Sequence, residues 1–133
     1  MIEPYLYFNG KCSEAIDYYE KIFTGKEKKI LHYNEMPFTS ENPVADEVGE
    51  LVMHAEMLVN GTKVNFSDIQ EKTIPGNMIS LAVRFGTSDE VVSAFNQLKE
   101  NGAVCMELGQ QFFSPMYGWV KDKYGIGWQL ICE

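Results

Sequence analysis

Apolar and polar positions along this chain fall into one pattern that occurs twice. The run Tyr5-Leu6-Tyr7-Phe8 leads to a turn at Asn9-Gly10. Ala15, Ile16, Tyr19, Ile22 and Phe23 then recur at spacings of three and four, with Glu14, Asp17, Glu20 and Lys21 between them. That spacing gathers the apolar side chains on one face of an amphipathic helix. Ser13 is its expected N-cap and Gly25 its expected stop. In the second half, Ile79-Ser80-Leu81-Ala82-Val83-Arg84-Phe85 leads to a turn at Gly86-Thr87-Ser88. A second helix follows, carrying Val91, Val92, Phe95 and Leu98, with Ser88 or Asp89 as its expected cap and Asn101-Gly102 as its stop.

Strands follow each helix. Residues 50–59 alternate strictly: Leu51, Met53, Ala55, Met57 and Val59 form an apolar face, and Glu50, Val52, His54, Glu56 and Leu58 a mixed one. A strand of this kind packs one face on a helix and turns the other to water or a ligand. Asn60-Gly61 predicts a tight hairpin. Its return strand, residues 62–68, puts Val64 and Phe66 on one side and Lys63, Asn65 and Ser67 on the other. Residues 103–112, 116–122 and 126–132 read as strands, with Tyr124-Gly125 turning the last pair. Trp128, Leu130 and Cys132 share one face, and Gly127, Gln129 and Ile131 the other. Residues 37–46 read as a surface loop, and residues 70–77, with Pro75-Gly76, as a linker. The expected architecture is α+β, a single domain over residues 1–133 built of two βαβββ modules at 1–69 and 77–133.

Composition narrows the function. A chain of 133 residues, 45% hydrophobic, is long enough for one domain with a real core. A net charge of −8 argues against nucleic acid or an anionic membrane surface as partner, because phosphate binding needs basic patches. No apolar stretch is long enough to span a membrane. The start, Met-Ile-Glu-Pro, has neither the basic nor the apolar run of a secretory signal. Cys12, Cys105 and Cys132 form no metal-binding spacing, and an odd count fits reduced thiols in a cytoplasm.

Several motifs together resemble a known family: Pro4-Tyr5-Leu6-Tyr7-Phe8-Asn9-Gly10, Glu14-Ala15-Ile16 with Tyr18-Tyr19, Met53-His54-Ala55-Glu56, Gly61-Thr62 to Ser67-Asp68, and Asp122-Lys123-Tyr124-Gly125 with Trp128. They are similar to the PhnB-like branch of the vicinal oxygen chelate superfamily, which includes glyoxalase I, bleomycin-resistance proteins and extradiol dioxygenases. The resemblance implies modules that form an open mixed-sheet barrel or cleft with helices outside, and a homodimer. Members of the branch often carry the label 3-demethylubiquinone-9 3-methyltransferase. In the metal-dependent relatives, His and Glu ligands sit on the first and last strands of each module. The last-strand position, four residues past the hairpin glycine, falls on Asn65 and Gln129. The first-strand positions fall near Pro4 or Tyr5 and near Ser80. None is an imidazole or carboxylate, so no metal and no cofactor are expected.

The remaining candidates lie on the same strands. His54 and Glu56, two residues apart on one strand face, suit a general acid/base pair. Tyr5, Tyr7, Phe112, Phe113, Tyr117 and Trp119 suit an aromatic pocket for a small ligand, with Asn65, Ser80 and Gln129 as its polar groups. His32 stands alone in an irregular strand. The methyltransferase label lacks its chemistry: no Gly-rich turn after the first strand and no acidic ribose partner are present. The expected function is therefore metal-free binding of a small molecule by a cytoplasmic dimer. The alternatives are a metal-dependent lyase or isomerase using His54 and Glu56, and an interaction module using residues 37–46.

Overall fold

The computed structural model describes residues 1–35 and 46–133. The chain divides into two compact units, Met1–Thr73 and Ile74–Glu133. Of residues 37–46, on which the interaction-module reading rests, 37–45 lie outside the described residues, and Asp46 begins a short helix rather than ending a loop.

The first unit holds β1 (Tyr5–Phe8), α1 (Cys12–Phe23), β2 (Lys26–His32), a 3-10 turn (Tyr33–Glu35), the short α2 (Asp46–Gly49), β3 (Val52–Val59) and β4 (Thr62–Asp68). Its four strands lie in the order β1-β4-β3-β2, with β1 parallel to β4 and the other pairs antiparallel. The second unit repeats the plan with β5 (Leu81–Phe85), α3 (Ser88–Leu98), β6 (Ala103–Gln111), β7 (Ser114–Lys121) and β8 (Gly127–Cys132). Its order is β5-β8-β7-β6, with β5 parallel to β8. These are the two βαβββ modules the repeat predicts.

Strand alternation decides which face is core. In the first sheet, Leu6, Phe8, Ala55, Met57, Val59, Val64 and Phe66 are buried, as are Ala15, Ile16, Tyr19 and Phe23 of α1. The Tyr19 ring lies 6.2 Å from that of Phe66. Each fully buried side chain such as Ile16 or Phe66 contributes roughly 1.5–3 kcal/mol. That exceeds the ~1 kcal/mol of a helix cap, so packing rather than capping sets where the helix lies. In the second sheet, Val83, Phe85, Val120, Trp128, Leu130 and Cys132 are buried, with Val91, Ala94, Phe95 and Leu98 of α3.

Three local expectations need correction. Helix α1 starts at Cys12, one residue before the expected Ser13 cap, and its first amide is held from across the sheet: Cys12 N donates to Asp68 Oδ1 at 3.0 Å. Helix α3 is capped by Thr87, whose Oγ1 accepts from Glu90 N at 3.2 Å and donates to Glu90 Oε1 at 2.9 Å. The Thr87 side chain thus satisfies an amide of the helix start from the cap position, which Ser88 and Asp89, already inside the first turn, do not occupy. In β3 the alternation slips at its start, so Val52 is buried and Met53 is not. The β2–β3 pairing shifts register there, between Leu31 and His32.

The hairpins follow their glycines. Asn60 and Gly61 take φ of 50° and 89°, the paired left-handed residues of a type I′ turn. Gly125, at φ 93°, closes the β7–β8 turn, and a Cβ there would stand 2.7 Å from Pro75 Cβ. Asp122 organises this turn. Its Oδ1 accepts from Tyr124 N and Ile126 N at 2.9 and 3.1 Å, and its Oδ2 accepts from Trp128 Nε1 at 2.8 Å.

Two stability predictions follow from these contacts. Asp68→Ala strands the Cys12 and Val52 amides in the core, at about 1–3 kcal/mol for each unsatisfied donor. Urea denaturation should show a loss of roughly 2–5 kcal/mol, with Asp68→Asn losing less. Gly61→Ala should cost roughly the 1–2 kcal/mol of a left-handed alanine, and Gly125→Ala more, because Pro75 leaves its new methyl no room. Urea midpoints that rank the two the other way would show that Pro75 yields.

Candidate functional site

In each unit the face turned away from the helix carries the chemistry. On the first sheet, strand register sets Tyr5 beside Asn65 and Asn65 beside Glu56. Tyr7 lies beside Ser67, and His54 beside Leu31. The register therefore brings Tyr5, Tyr7, His54, Glu56 and Asn65 together. Tyr5 and Tyr7 stack with ring centroids 4.8 Å apart and are 39% and 49% exposed.

His54 sits in the middle of a hydrogen-bonded row. Its Nδ1 is 2.9 Å from Tyr5 Oη and its Nε2 is 3.4 Å from Glu56 Oε2. The bond from His54 holds the Glu56 carboxyl below its ordinary range, with the charges of Lys63 and Lys29 adding to the effect against some desolvation. Lys63 Nζ lies 3.6 Å and Lys29 Nζ 4.0 Å from Glu56 Oε1. An ionised carboxylate only accepts, so His54 Nε2 carries the proton. In the tautomer with its proton on Nε2, the ring offers Nδ1 as a lone pair and Tyr5 donates to it. Partial burial pushes the Tyr5 phenol above its ordinary pKa, opposed by a bond with Ser67. A depression of about 340 Å³ opens beside Glu56, edged by Lys28, Lys29, Leu58 and Lys63.

Sequence reasoning found His54 and Glu56 but missed Lys29 and Lys63. Their signal is the β2–β3 and β3–β4 register, which sets Lys29 opposite Glu56 and Lys63 opposite Leu58. His32, expected to stand alone, is bonded through Nδ1 to Glu35 Oε1 at 2.6 Å.

The second sheet is neutral at the matching place. Tyr117 Oη donates to Gln129 Oε1 at 2.6 Å, and Gln129 Nε2 donates to Ser80 Oγ at 2.9 Å. Trp119 pairs with Gln129 in register, and the Phe113 ring meets Tyr117 edge-on at 5.1 Å. Ser80, Tyr117, Trp119 and Gln129 are thus gathered on one face. Burial raises the Tyr117 phenol above its ordinary pKa. Phe112 is fully exposed and touches this group only through Phe113.

The amides of the two last strands behave alike. Asn65 Nδ2 bonds Pro4 O and Glu3 Oε1, each at 3.2 Å. Gln129, in register with Ala82, bonds Ser80. Each amide thus reaches back toward the chain just before its register partner, Tyr5 in one unit and Ala82 in the other. Among the described residues, no three His, Cys, Asp or Glu side chains group so as to hold a metal ion. Cys12 is buried, and desolvation, then the nearby Asp68 charge, pushes its thiol far above its ordinary pKa. Cys132 is also buried, whereas Cys105 is exposed.

Comparison with known proteins matches this arrangement to a family. Residues 1–131 match the family described as 3-demethylubiquinone-9 3-methyltransferase. Protein PA1353 of Pseudomonas aeruginosa is 29% identical with a TM-score of 0.85, over 100% of this chain and 97% of its own. A PhnB protein of Bacillus cereus is 30% identical with a TM-score of 0.76, over 99% and 98%. The fosfomycin resistance protein FosX of Listeria monocytogenes shares the fold alone, at 11% identity and a TM-score of 0.67, over 98% and 91%. With its two βαβββ modules and a match across almost its whole length, the chain belongs to the PhnB-like family described as 3-demethylubiquinone-9 3-methyltransferase.

Proposed function

We propose that the chain binds a small, planar, acceptor-bearing molecule on these strand faces, without a metal at the superfamily position and without methyl transfer. The observation that carries this reading is the directed chain Tyr117→Gln129→Ser80. The nearly buried Tyr117 has one proton and gives it to Gln129 Oε1, which fixes the amide orientation. Gln129 then spends one N–H on Ser80. Its second N–H and the Ser80 hydroxyl proton remain for a ligand. Donors edged by Trp119 and Phe113 suit a carbonyl oxygen on a flat apolar body.

The metal-dependent alternative fits the residues less well. Asn65 and Gln129 are neutral amides, weak ligands for transition metals, and the Gln129 oxygen already accepts from Tyr117. Both ring nitrogens of His54 already have partners, so a metal there must displace Tyr5 or Glu56. FosX differs in this respect: a Glu-to-Gln variant of it is complexed with Mn(II) and 1S,2S-dihydroxypropylphosphonic acid. The methyltransferase description sits poorly on mixed four-stranded sheets, because adenosylmethionine enzymes of the Rossmann type bind at the switch point of a parallel sheet.

The same reading includes a homodimer in the cytoplasm. Strand β6 is the outer strand of its sheet and exposes Val104 and Met106, an apolar edge that favours pairing with a second copy. The exposed, unpaired Cys105 suits a reducing compartment.

Coumarin and quinolin-2-one serve as probes of the donor site. A ligand at 100 times its dissociation constant stabilises by about 2.7 kcal/mol. A rise in melting temperature is therefore expected with the wild-type protein and its loss in Gln129→Leu. No shift with either probe, together with a Zn, Ni, Mn or Fe(II) shift abolished by His54→Ala or Glu56→Ala, would replace this reading with a metal-dependent lyase or isomerase. Sedimentation velocity should give the mass of two chains, falling to one when Val104 and Met106 are both changed to Lys. A wild-type monomer ends the dimer proposal.

A further inference from the structure

We propose that Tyr5 is a reactive phenol, activated by His54 and positioned by Glu56, that accepts an acyl group from a small activated acyl donor. The geometry has the parts of a nucleophile–base–orienter set. Tyr5 Oη is the oxygen nucleophile of the three whose proton is aimed at a nitrogen base, the lone pair on His54 Nδ1, at 2.9 Å. The Glu56 carboxylate accepts the proton on His54 Nε2 at 3.4 Å, fixing the tautomer and stabilising the ring when it gains charge. Tyr5 is 39% exposed, so a donor can reach it.

The charged and titratable groups around the row come from every strand of the sheet. Tyr7 flanks Tyr5 on β1, Cys12 of α1 and Tyr33 lie near enough to bear on its charge, Lys63 approaches from β4, Lys29 from β2, and Glu56 shares β3 with His54. The two lysines sit at Glu56, away from Tyr5. They hold the carboxylate ionised without offering a second base to the phenol.

The step balances as an acyl transfer. With N-acetylimidazole as the donor, Tyr5 Oη attacks the acetyl carbon and forms a C–O bond. The bond from that carbon to the imidazole nitrogen breaks, and the leaving imidazole takes the electron pair. The Tyr5 proton passes to His54 Nδ1 and then through water to the leaving imidazole. The products are acetyl-Tyr5 and free imidazole, with His54 restored.

Tyr7 supplies an internal control, since it stacks on Tyr5, is more exposed at 49%, and makes no contact of this kind with a histidine. Exposure alone therefore favours labelling of Tyr7, and the His54 row favours Tyr5. The inference rests on this geometry and not on the ligand site of the second unit, so failure of the coumarin screen leaves it standing.

The experiment is acetylation of the whole protein with N-acetylimidazole across pH, with the acetyl group mapped by mass spectrometry. Positioned acid–base assistance is typically worth about 10²–10⁴-fold. Tyr5 should therefore outpace Tyr7 by on the order of 10-fold or more even with a loosely held donor. Its rate should follow a single protonation that disappears in His54→Gln, while the Tyr7 rate stays the same. Glu56→Gln should move the midpoint of that profile without abolishing labelling. Faster labelling of Tyr7 in the wild-type protein, or a Tyr5 rate unchanged in His54→Gln, overturns the inference. The wild-type comparison decides the matter alone if a variant fails to fold.

Discussion

The carboxylate of Asp68 holds together the three elements on which the first module depends. It lies at the end of β4 and is 2% exposed. One oxygen accepts from Cys12 N at the start of α1 and the other from Val52 N at the start of β3. A buried charge is costly unless it is hydrogen-bonded, and here the bonds come from backbone amides that themselves need acceptors. One residue thus fixes where the helix begins, which face of β4 it covers, and where the β3 alternation starts. Asp122 does comparable work in the second module, where it shapes the β7–β8 turn and anchors the Trp128 indole.

Once the helix side of each sheet is fixed, the opposite face follows without further choice. A strand alternates with period two, so each buried Ala55, Phe66, Val120 or Leu130 dictates an outward Glu56, Asn65, Trp119 or Gln129. Site residues are neighbours because their strands pair in register. Tyr5 and His54 lie 49 positions apart in sequence and meet across the width of β4. The chemistry thus rests on packing energy spent on the other face of the sheet.

This explains what the chain made legible and what it did not. The helical spacing of Ala15, Ile16, Tyr19 and Phe23, the alternation through Ala55, Met57 and Val59, and the Asn60-Gly61 turn are local signals, and all reappear in the structure. The position of His54 and Glu56 on the outward face was legible for the same reason. The start of α1 was not, because Asp68 caps it from 56 positions away, whereas the Thr87 cap of α3, with Glu90 three residues on, is a local signal that the neighbouring Ser88 and Asp89 obscure. Lys29 stayed hidden because no single strand reveals its neighbour's register, whereas Lys63, on the Asn65 face beside the Asn60-Gly61 hairpin, was within reach. The first-strand position of the second module is expected near Ser80; the long Gln129 amide arrives there, while its register partner is Ala82.

The two modules share a fold but differ in how they hold protons. In the first, a histidine between a phenol and a carboxylate makes a row whose protons can move, since each member can change charge. In the second, a phenol, an amide and a hydroxyl make a row that can only point, because an amide neither gains nor loses a proton near neutrality. The difference traces to a few outward positions. The Tyr5 position in β1 corresponds to Ala82 in β5, each beside the last-strand amide of its own sheet. Without a phenol at position 82, the second sheet has no donor in that place and recruits Tyr117 from β7 instead. A duplicated scaffold can therefore carry one face suited to proton transfer and one suited to recognition, with neither requiring a change in the core.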